Sequence, residues 1–424
     1  MKRRQFLQTA GGGIALASLG GCASFTGQAR PRVVVVGGGY GGATAAKYVR
    51  MWSDGGIDVT LVDPNPSFIS CPLSNLVLGG SMQLADLTLG HDGLARKHGV
   101  RLLRDTAVAI DAEKRTVKLA SGATLPYDRL ILSPGIEFLW NQLPGMRAPG
   151  ARDRILHAWK AGPQTTALRA QLEAMPDGGV YAMTVPPAPY RCPPGPYERA
   201  CQVAHYFSRS KPKSKVLLLD ANEDVVSKGA LFKKIWKDRY AGIIDYRPSF
   251  RTADIDAGAN TAISELGDRV RADVLNVVPP QGAGAIAVDA GLANANGRWC
   301  GVDFVTFEST AARHIHVLGD AIQVSPLMPK SAHMANQHAK VCAAAVVDLL
   351  SGRAPEPKPM LTNTCYSFVS DRDVIHVASV HAYDADRKTL LVVPGSGGVS
   401  AAANETEGVY AMSWARNIWA DTLA

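Results

Sequence analysis

The stretch Arg32-Val33-Val34-Val35-Val36-Gly37-Gly38-Gly39-Tyr40-Gly41-Gly42 constrains this chain more than any other. Four consecutive valines suit a strand buried on both faces, as in a parallel sheet. The run turns through Gly37-x-Gly39-x-x-Gly42, and Ala43 to Met51 reads as the helix that follows. In such a unit the glycines permit a tight turn, close approach of backbone to a pyrophosphate, and close packing of helix on strand. The helix N-terminus offers free N–H groups and a positive dipole end to phosphates. A second strand, Ile57 to Val62, ends in Asp63, about twenty residues past the glycines, where a ribose hydroxyl needs an acceptor. Gly37, Gly39, Tyr40, Gly42 and Asp63 are therefore expected to hold a dinucleotide. An ordinary glycine-rich turn is the plainer alternative, and the strand–turn–helix context argues against it.

At 424 residues the chain has room for two or three domains. Its formal charge is +8, and subtracting Lys2, Arg3 and Arg4 leaves +5, which gives no case for nucleic acid. Those three cations open a targeting segment. Arg3-Arg4-Gln5-Phe6-Leu7 is a twin-arginine pattern, and the small apolar run Thr9 to Gly21 is too short to anchor a membrane helix. Export by that route implies a periplasmic, oxidising location. Leu19-Gly20-Gly21-Cys22 also resembles a lipoprotein cleavage box with Cys22 acylated; ordinary cleavage a few residues later is the alternative. No transmembrane span is expected in the rest of the chain.

Beyond the first unit, Arg101 to Leu103, Ala107 to Ile110 and Thr116 to Leu119 read as short strands, with Ser121-Gly122 as a hairpin signal. Tyr127 to Leu132 then runs an apolar strand into Ser133-Pro134-Gly135. Far downstream come Thr306-Phe307-Glu308-Ser309 and Ile315-His316-Val317-Leu318-Gly319-Asp320-Ala321. Together with the glycine turn, these resemble the three signatures of two-dinucleotide-fold flavoproteins, which implies FAD at the first site. In that superfamily the acid at the place of Asp320 binds the ribityl chain. Gly135 and Gly319 join the expected cofactor residues.

A second such unit is inserted between the signatures: strand Val180 to Val185, helix Tyr197 to Ser208, strand Lys215 to Asp220. Its connecting loop, Pro186-Pro187-Ala188-Pro189-Tyr190-Arg191-Cys192-Pro193-Pro194-Gly195-Pro196, lacks the N–H groups and the freedom of a phosphate turn. A flavin enzyme without a nicotinamide site is the expectation.

Seven cysteines include no Cys-x-x-Cys pair and no Cys-x-x-Cys-His haem attachment, so no metal site and no covalent haem are expected. Cys201 and Cys342 sit in alanine-rich helical patterns and read as core. Cys71, in Phe68-Ile69-Ser70-Cys71-Pro72-Leu73-Ser74-Asn75, falls beside the cofactor path. Burial is the usual fate of a free cysteine, and a covalent or redox role is the other reading. Cys192 and Cys365 lie in unusual loops, and a structural disulfide is one use for two such residues in an exported protein.

Arg191 to Ala200, Leu361 to Ser367 and Met328 to Ser331 resemble the flavoprotein subunit of flavocytochrome c sulfide dehydrogenase. So do Gly41 to Tyr48, Pro134 to Glu137 and the tail Ser413 to Ile418, and the likeness spans almost the whole chain. It implies FAD bonded through Cys71, although the segment around Cys71 is less polar than the family pattern. It also implies a redox-active Cys192–Cys365 disulfide over the flavin and Trp414 close to the ring. Hydrosulfide would open that disulfide, leaving a persulfide and a thiolate. Electrons would pass to the flavin and leave through a c-type cytochrome subunit. Glu198, at a helix start, is a candidate acid/base, with a dipole-favoured acid as the bland alternative. Lys330 precedes the helix Ala332 to Leu350, whose N-terminus would face the flavin; Lys330 would add charge there, or else simply be exposed.

The resemblance implies an α/β fold: a two-dinucleotide-binding-domain flavoprotein of the glutathione-reductase type with a smaller C-terminal α+β domain. Residues 1–30 form the signal segment, 31–150 and 290–354 the FAD-binding domain, 151–289 the second nucleotide-like domain, and 355–424 the C-terminal domain. Three other functions compete. One is a sulfide:quinone oxidoreductase, disfavoured because Glu405, Glu407, Arg416 and Asp421 interrupt any apolar face in the tail. The others are an accessory flavoprotein of a thiosulfate-oxidising system and a non-catalytic flavin binder.

Overall fold

In the computed structural model, which describes residues 29–424, the valine strand Arg32–Val36 is the middle of a five-stranded parallel sheet. The order is Ile315–Val317, Arg129–Leu132, Arg32–Val36, Asp58–Val62, Arg101–Leu103. The sheet therefore draws its edge strand from about 180 residues downstream of its neighbour. Val33 to Val36 are buried, each contributing roughly 1.5–3 kcal/mol of apolar burial. The targeting segment and Cys22 lie outside the described residues.

The fingerprint helix spans Tyr40–Trp52 and so begins three residues earlier than the apolar pattern indicated. Gly37 has φ +100°, and a Cβ there would lie 2.3 Å from Ser133 O; a Cβ on Gly42 would lie 1.8 Å from Gly37 O. Only glycine fits either place. The helix packs along Ala332–Leu350, which is capped by Ser331, its Oγ accepting from Met334 N at 3.1 Å. A three-stranded antiparallel sheet, Ala107–Asp111, Thr116–Leu119 and Thr124–Pro126, flanks this core.

The second sheet is also parallel, ordered Ile244–Arg247, Lys215–Asp220, Val180–Val185, Val274–Val277. Helix Gly195–Ser210 crosses between its strands and buries Tyr197, Ala200, Cys201, Val203, Ala204 and Phe207. Strands Met360–Phe368, Val374–Asp384, Thr389–Val392 and Gly398–Val399 form a last, antiparallel sheet. The chain closes with helix Glu405–Leu423, capped by Asn404. That helix end is fastened to the fingerprint helix. Lys47 Nζ donates to Ala420 O at 3.1 Å and Asp421 O at 3.0 Å, while Tyr48, Asn336 and Lys340 converge on the Asp421 carboxylate. Among the described residues no helix is long and apolar enough to cross a membrane, and no group of three or more His, Cys, Asp or Glu side chains could hold a metal ion.

Candidate functional site

One cleft of about 1420 Å3, mouth included, opens where the two parallel sheets and the C-terminal sheet meet. Its walls carry Gly39, Tyr40, Cys71, Gly135, Cys192, Glu198, Gly319, Asp320, Lys330, Cys365 and Trp414. Gly37 and Gly42 lie beneath the wall as packing glycines, and Asp63 stands off it.

The residues present fit FAD. A Cβ on Gly39 would meet nothing within 4 Å, so backbone is open where a pyrophosphate approaches. The first turn of the fingerprint helix carries no acid to repel phosphates, and neither does that of Ala332–Leu350. Asp320 Oδ1 is buried with no protein partner, a free acceptor for a sugar-chain hydroxyl. Asp63 accepts from Gly38 N at 2.5 Å and from Asn65 N and Nδ2 at 2.7 and 2.9 Å. The carboxylate expected to meet ribose thus also braces the glycine turn. Tyr40 is buried: its hydroxyl pairs with Ser70 Oγ at 2.7 Å and accepts from Trp419 Nε1 at 3.0 Å. It fixes the segment before Cys71 against the last helix.

Three cysteines converge on the cleft. Cys71 Sγ accepts from Arg191 Nη2 at 2.7 Å, and Arg191 Nε stands 3.4 Å from Asp320 Oδ2. Cys192 follows in the proline loop with φ +59°, a left-handed backbone uncommon for a side-chain-bearing residue and typical of functional sites. Its N–H donates to Lys330 O at 2.8 Å, and Gly195 N donates to Cys192 O at 2.9 Å. A Cβ on Gly195 would stand 2.9 Å from Cys192 Sγ and 2.8 Å from the Trp159 ring, so this glycine makes room for the sulfur. Cys365 arrives from the middle of Met360–Phe368. Both sulfurs are free thiols, so the structure holds the two residues without the disulfide that the resemblance implies. Burial pushes the Cys192 thiol well up, with Cys365 and Glu198 adding to the rise and Arg191 opposing it. Burial also raises Cys365, with Lys228 opposing.

Glu198 is buried in the first turn of Gly195–Ser210. Oε1 accepts from Phe368 N and Oε2 from Asn75 Nδ2, both at 2.9 Å. Burial raises its pKa against the pull of those two donors. It therefore ties three segments together as well as lining the cleft. Lys330 requires a correction to the exposed reading: its side chain is 3% exposed. The ammonium donates to Asp320 O at 2.9 Å and Ile322 O at 2.6 Å and sits 3.5 Å over the Trp299 ring. It holds the turn bearing Asp320 rather than projecting into solvent, and burial lowers its pKa to about 7. Trp414 stands 6.2 Å from Tyr366 and 5.8 Å from His333, centroid to centroid.

Sequence reasoning assigned no role to Arg191, Lys228, Trp159 or Arg199. Arg191 carried a local signal, since it directly precedes Cys192. Arg199 is buried and spends its donors on Asn75, Asn276 and the carbonyls of His157 and Ala158. Nothing in its local sequence marks those partners. At the second nucleotide-like turn, Asp220 Oδ2 accepts from Tyr197 at 2.7 Å and Tyr246 at 3.1 Å, and Oδ1 from Asn222 N and Nδ2.

A cleft of this form, at the ends of a parallel sheet with the fingerprint helix pointing into it, defines an FAD flavoprotein of the disulfide-oxidoreductase type. Residues 31–174 match the family described as pyridine nucleotide-disulphide oxidoreductase. Residues 165–279 match the central region of the sulfide dehydrogenase (flavocytochrome c) flavoprotein chain, and 357–423 match the flavocytochrome c sulphide dehydrogenase flavin-binding region. A sulfide dehydrogenase (flavocytochrome c) flavoprotein chain from Chlorobaculum thiosulfatiphilum is 61% identical over 46 residues, 11% of this chain and 94% of that sequence. The mitochondrial sulfide:quinone oxidoreductase of Dictyostelium discoideum is 23% identical over 303 residues, 68% of this chain and 65% of its own length. In fold, the sulfide:quinone oxidoreductase of Aquifex aeolicus superposes with a TM-score of 0.74 at 18% identity, covering 92% of this chain and 91% of that one. The chain belongs to the family of FAD flavoproteins that comprises the sulfide dehydrogenases and sulfide:quinone oxidoreductases.

Proposed function

We propose that this protein oxidises hydrogen sulfide through a Cys192–Cys365 redox disulfide and passes the electrons, by way of FAD bonded to Cys71, to a c-type cytochrome in the periplasm. The observation that carries the reading is the convergence of Cys71, Cys192 and Cys365 on one FAD-fitting cleft. Hydrosulfide is small, soft and largely anionic near neutral pH, and a disulfide is the electrophile that such a nucleophile opens. Attack on one sulfur forms a new S–S bond, breaks the old one and leaves the other cysteine as thiolate. Bound FAD supplies a two-electron acceptor that can release electrons singly. The chain's own part is to hold the two sulfurs in the cleft that would take that acceptor: Cys192 through its N–H to Lys330 O, Cys365 through its strand. Arg191 adds a cation beside Cys71 and Asp320, favouring anions in the cleft. Trp159 and Trp414 wall it with apolar surface.

No nicotinamide donor is invoked. In support, the proline loop offers few N–H groups, and Asp220, the acid a ribose would need, already carries four donors. A quinone acceptor is the second reading, drawn from the likeness to a sulfide:quinone oxidoreductase over 68% of the chain. The assay that separates them follows sulfide-dependent reduction of a c-type cytochrome and of a soluble quinone with the same preparation. Cytochrome reduction that exceeds quinone reduction supports the proposal, and quinone reduction alone refutes the cytochrome. Acid precipitation tests the linkage: yellow protein pellets from wild type and colourless ones from Cys71→Ser are expected, whereas flavin in the wild-type supernatant contradicts it.

A further inference from the structure

Lys228 is a buried ammonium that no role above uses. It stands just before helix Gly229–Arg239, in left-handed backbone at φ +56°, with 8% of its surface exposed. Its Nζ donates to the backbone carbonyl of Cys365 at 3.1 Å and to Ser367 Oγ at 2.7 Å, both on strand Met360–Phe368. Among the described residues it has no carboxylate within ion-pair distance. A buried cation without a carboxylate is costly unless another anion serves it. The acidic groups acting on Lys228 are, in order, Cys365, Glu198, Cys192 and Glu407. Glu198 comes from helix Gly195–Ser210, Cys192 from the proline loop and Glu407 from the last helix. Glu198 is already shared between Phe368 N and Asn75, and Glu407 between Ser400 and His376. Two thiols are left, Cys365 and Cys192, and of these Lys228 touches only the residue Cys365, through its carbonyl oxygen.

The two cysteines are not equivalent in this field. Cys192 faces Cys365 and Glu198, and the cation that opposes them, Arg191, is paired with Asp320. Cys365 also faces Glu198, but the Lys228 ammonium that opposes it is bonded to its own carbonyl oxygen. In thiol–disulfide exchange the sulfur that better carries negative charge leaves faster, and the other is the one attacked.

We infer that Lys228 is the positioning residue that holds Cys365 and, as its counter-ion, makes Cys365 the leaving thiolate when hydrosulfide opens the disulfide. The step balances: HS⁻ forms a bond to Cys192 Sγ, the Cys192–Cys365 bond breaks, and its electron pair goes to Cys365 Sγ. The products are a Cys192 persulfide, which keeps the hydrosulfide proton, and a Cys365 thiolate opposite Lys228. The inference rests on the proposed sulfide chemistry, but its test does not use sulfide.

In the Cys192→Ser holoprotein, Cys365 is the one member of the pair left to react with iodoacetamide. Its alkylation rate is followed from pH 5 to 10 by peptide mass spectrometry. Adding Lys228→Met is expected to move the midpoint of that profile upward by about one unit, an approximately tenfold loss of rate at neutral pH. Lys228→Arg restores the profile. Lys228→Gln, which keeps donors for Cys365 O and Ser367 but not the charge, behaves like Lys228→Met and serves if that variant misfolds. An unmoved profile in Lys228→Gln overturns the inference. Because alkylation needs no sulfide, that outcome is distinct from a failure of sulfide oxidation, which appears as an unreactive wild-type flavin.

Discussion

The two strand–turn–helix units of this chain share a topology and oppose each other in chemistry. At the first turn, Gly37 to Gly42 bring bare backbone to a cleft wall, and a side chain on Gly39 would find open space. At the second, prolines replace the N–H groups, and the helix starts at Gly195 behind a cysteine. The acid after each second strand follows suit. Asp63 is half-buried and accepts from Gly38 with one oxygen and from Asn65 with the other. Asp220 is fully buried and saturated by Tyr197, Tyr246 and Asn222. The lesson is that one fold position can serve a ligand or serve the protein, and that the burial of its carboxylate tells which. In the second unit the acid anchors the helix that carries Glu198 and follows the Cys192 loop.

The largest effect that breaks the comparison belongs to Gly42→Val, whose Cβ would press on Gly37 O. Purified protein should hold less than about a tenth of the wild-type flavin, measured by absorbance against protein, because the turn cannot close. Asp63→Ala and Asp220→Ala then sharpen it. Asp220→Ala leaves the hydroxyls of buried Tyr197 and half-buried Tyr246 without that acceptor, at about 1–3 kcal/mol for the buried one, and should lower Tm by several degrees. Asp63→Ala should leave Tm within a few degrees but weaken FAD rebinding about tenfold in a Cys71→Ser background. Equal effects on Tm and on FAD would erase the distinction drawn between the two acids.

A further effect is in pH dependence. Lys330 is lowered by burial to about 7 from an ordinary value of 10.5. Between those values the unfolded chain binds a proton that the folded one has released, so stability rises with pH, by at most about 1.4 kcal/mol per unit. Below pH 7 the charged form must stay buried, and its cost is constant. Denaturant titrations of wild type and Lys330→Met should therefore converge in slope below pH 7. Above it, wild type should gain on the variant; a constant gap from pH 6 to 10 would contradict the assigned burial effect.

Much of the frame was legible in the sequence, because continuous aliphatic runs have one use in a parallel sheet. Val180–Val185, Lys215–Asp220 and Ala332–Leu350 form at the bounds their residues indicate. The starts of helices were less so. Gly39 caps the fingerprint helix, and Gly195 and Pro196 open the cysteine helix, although neither residue type favours a helix interior. The last helix was not read as one element, despite the cap signal Asn404 with Glu407 three residues on. In the site, glycines and cysteines announce themselves by type and spacing. Lys228, Arg199 and Trp159 do not, since their partners lie 137, 77 and 32 residues away in sequence. Their roles arise from where separate segments meet, and no local pattern encodes that.

The most direct test of the account is an anaerobic titration of the purified holoprotein with sodium sulfide, following flavin absorbance in wild type, Cys192→Ser and Cys365→Ser. The account predicts rapid bleaching in wild type and its loss in both variants, with flavin content unchanged. Bleaching of either variant at the wild-type rate would contradict it, because sulfide would then reach the flavin without the cysteine pair.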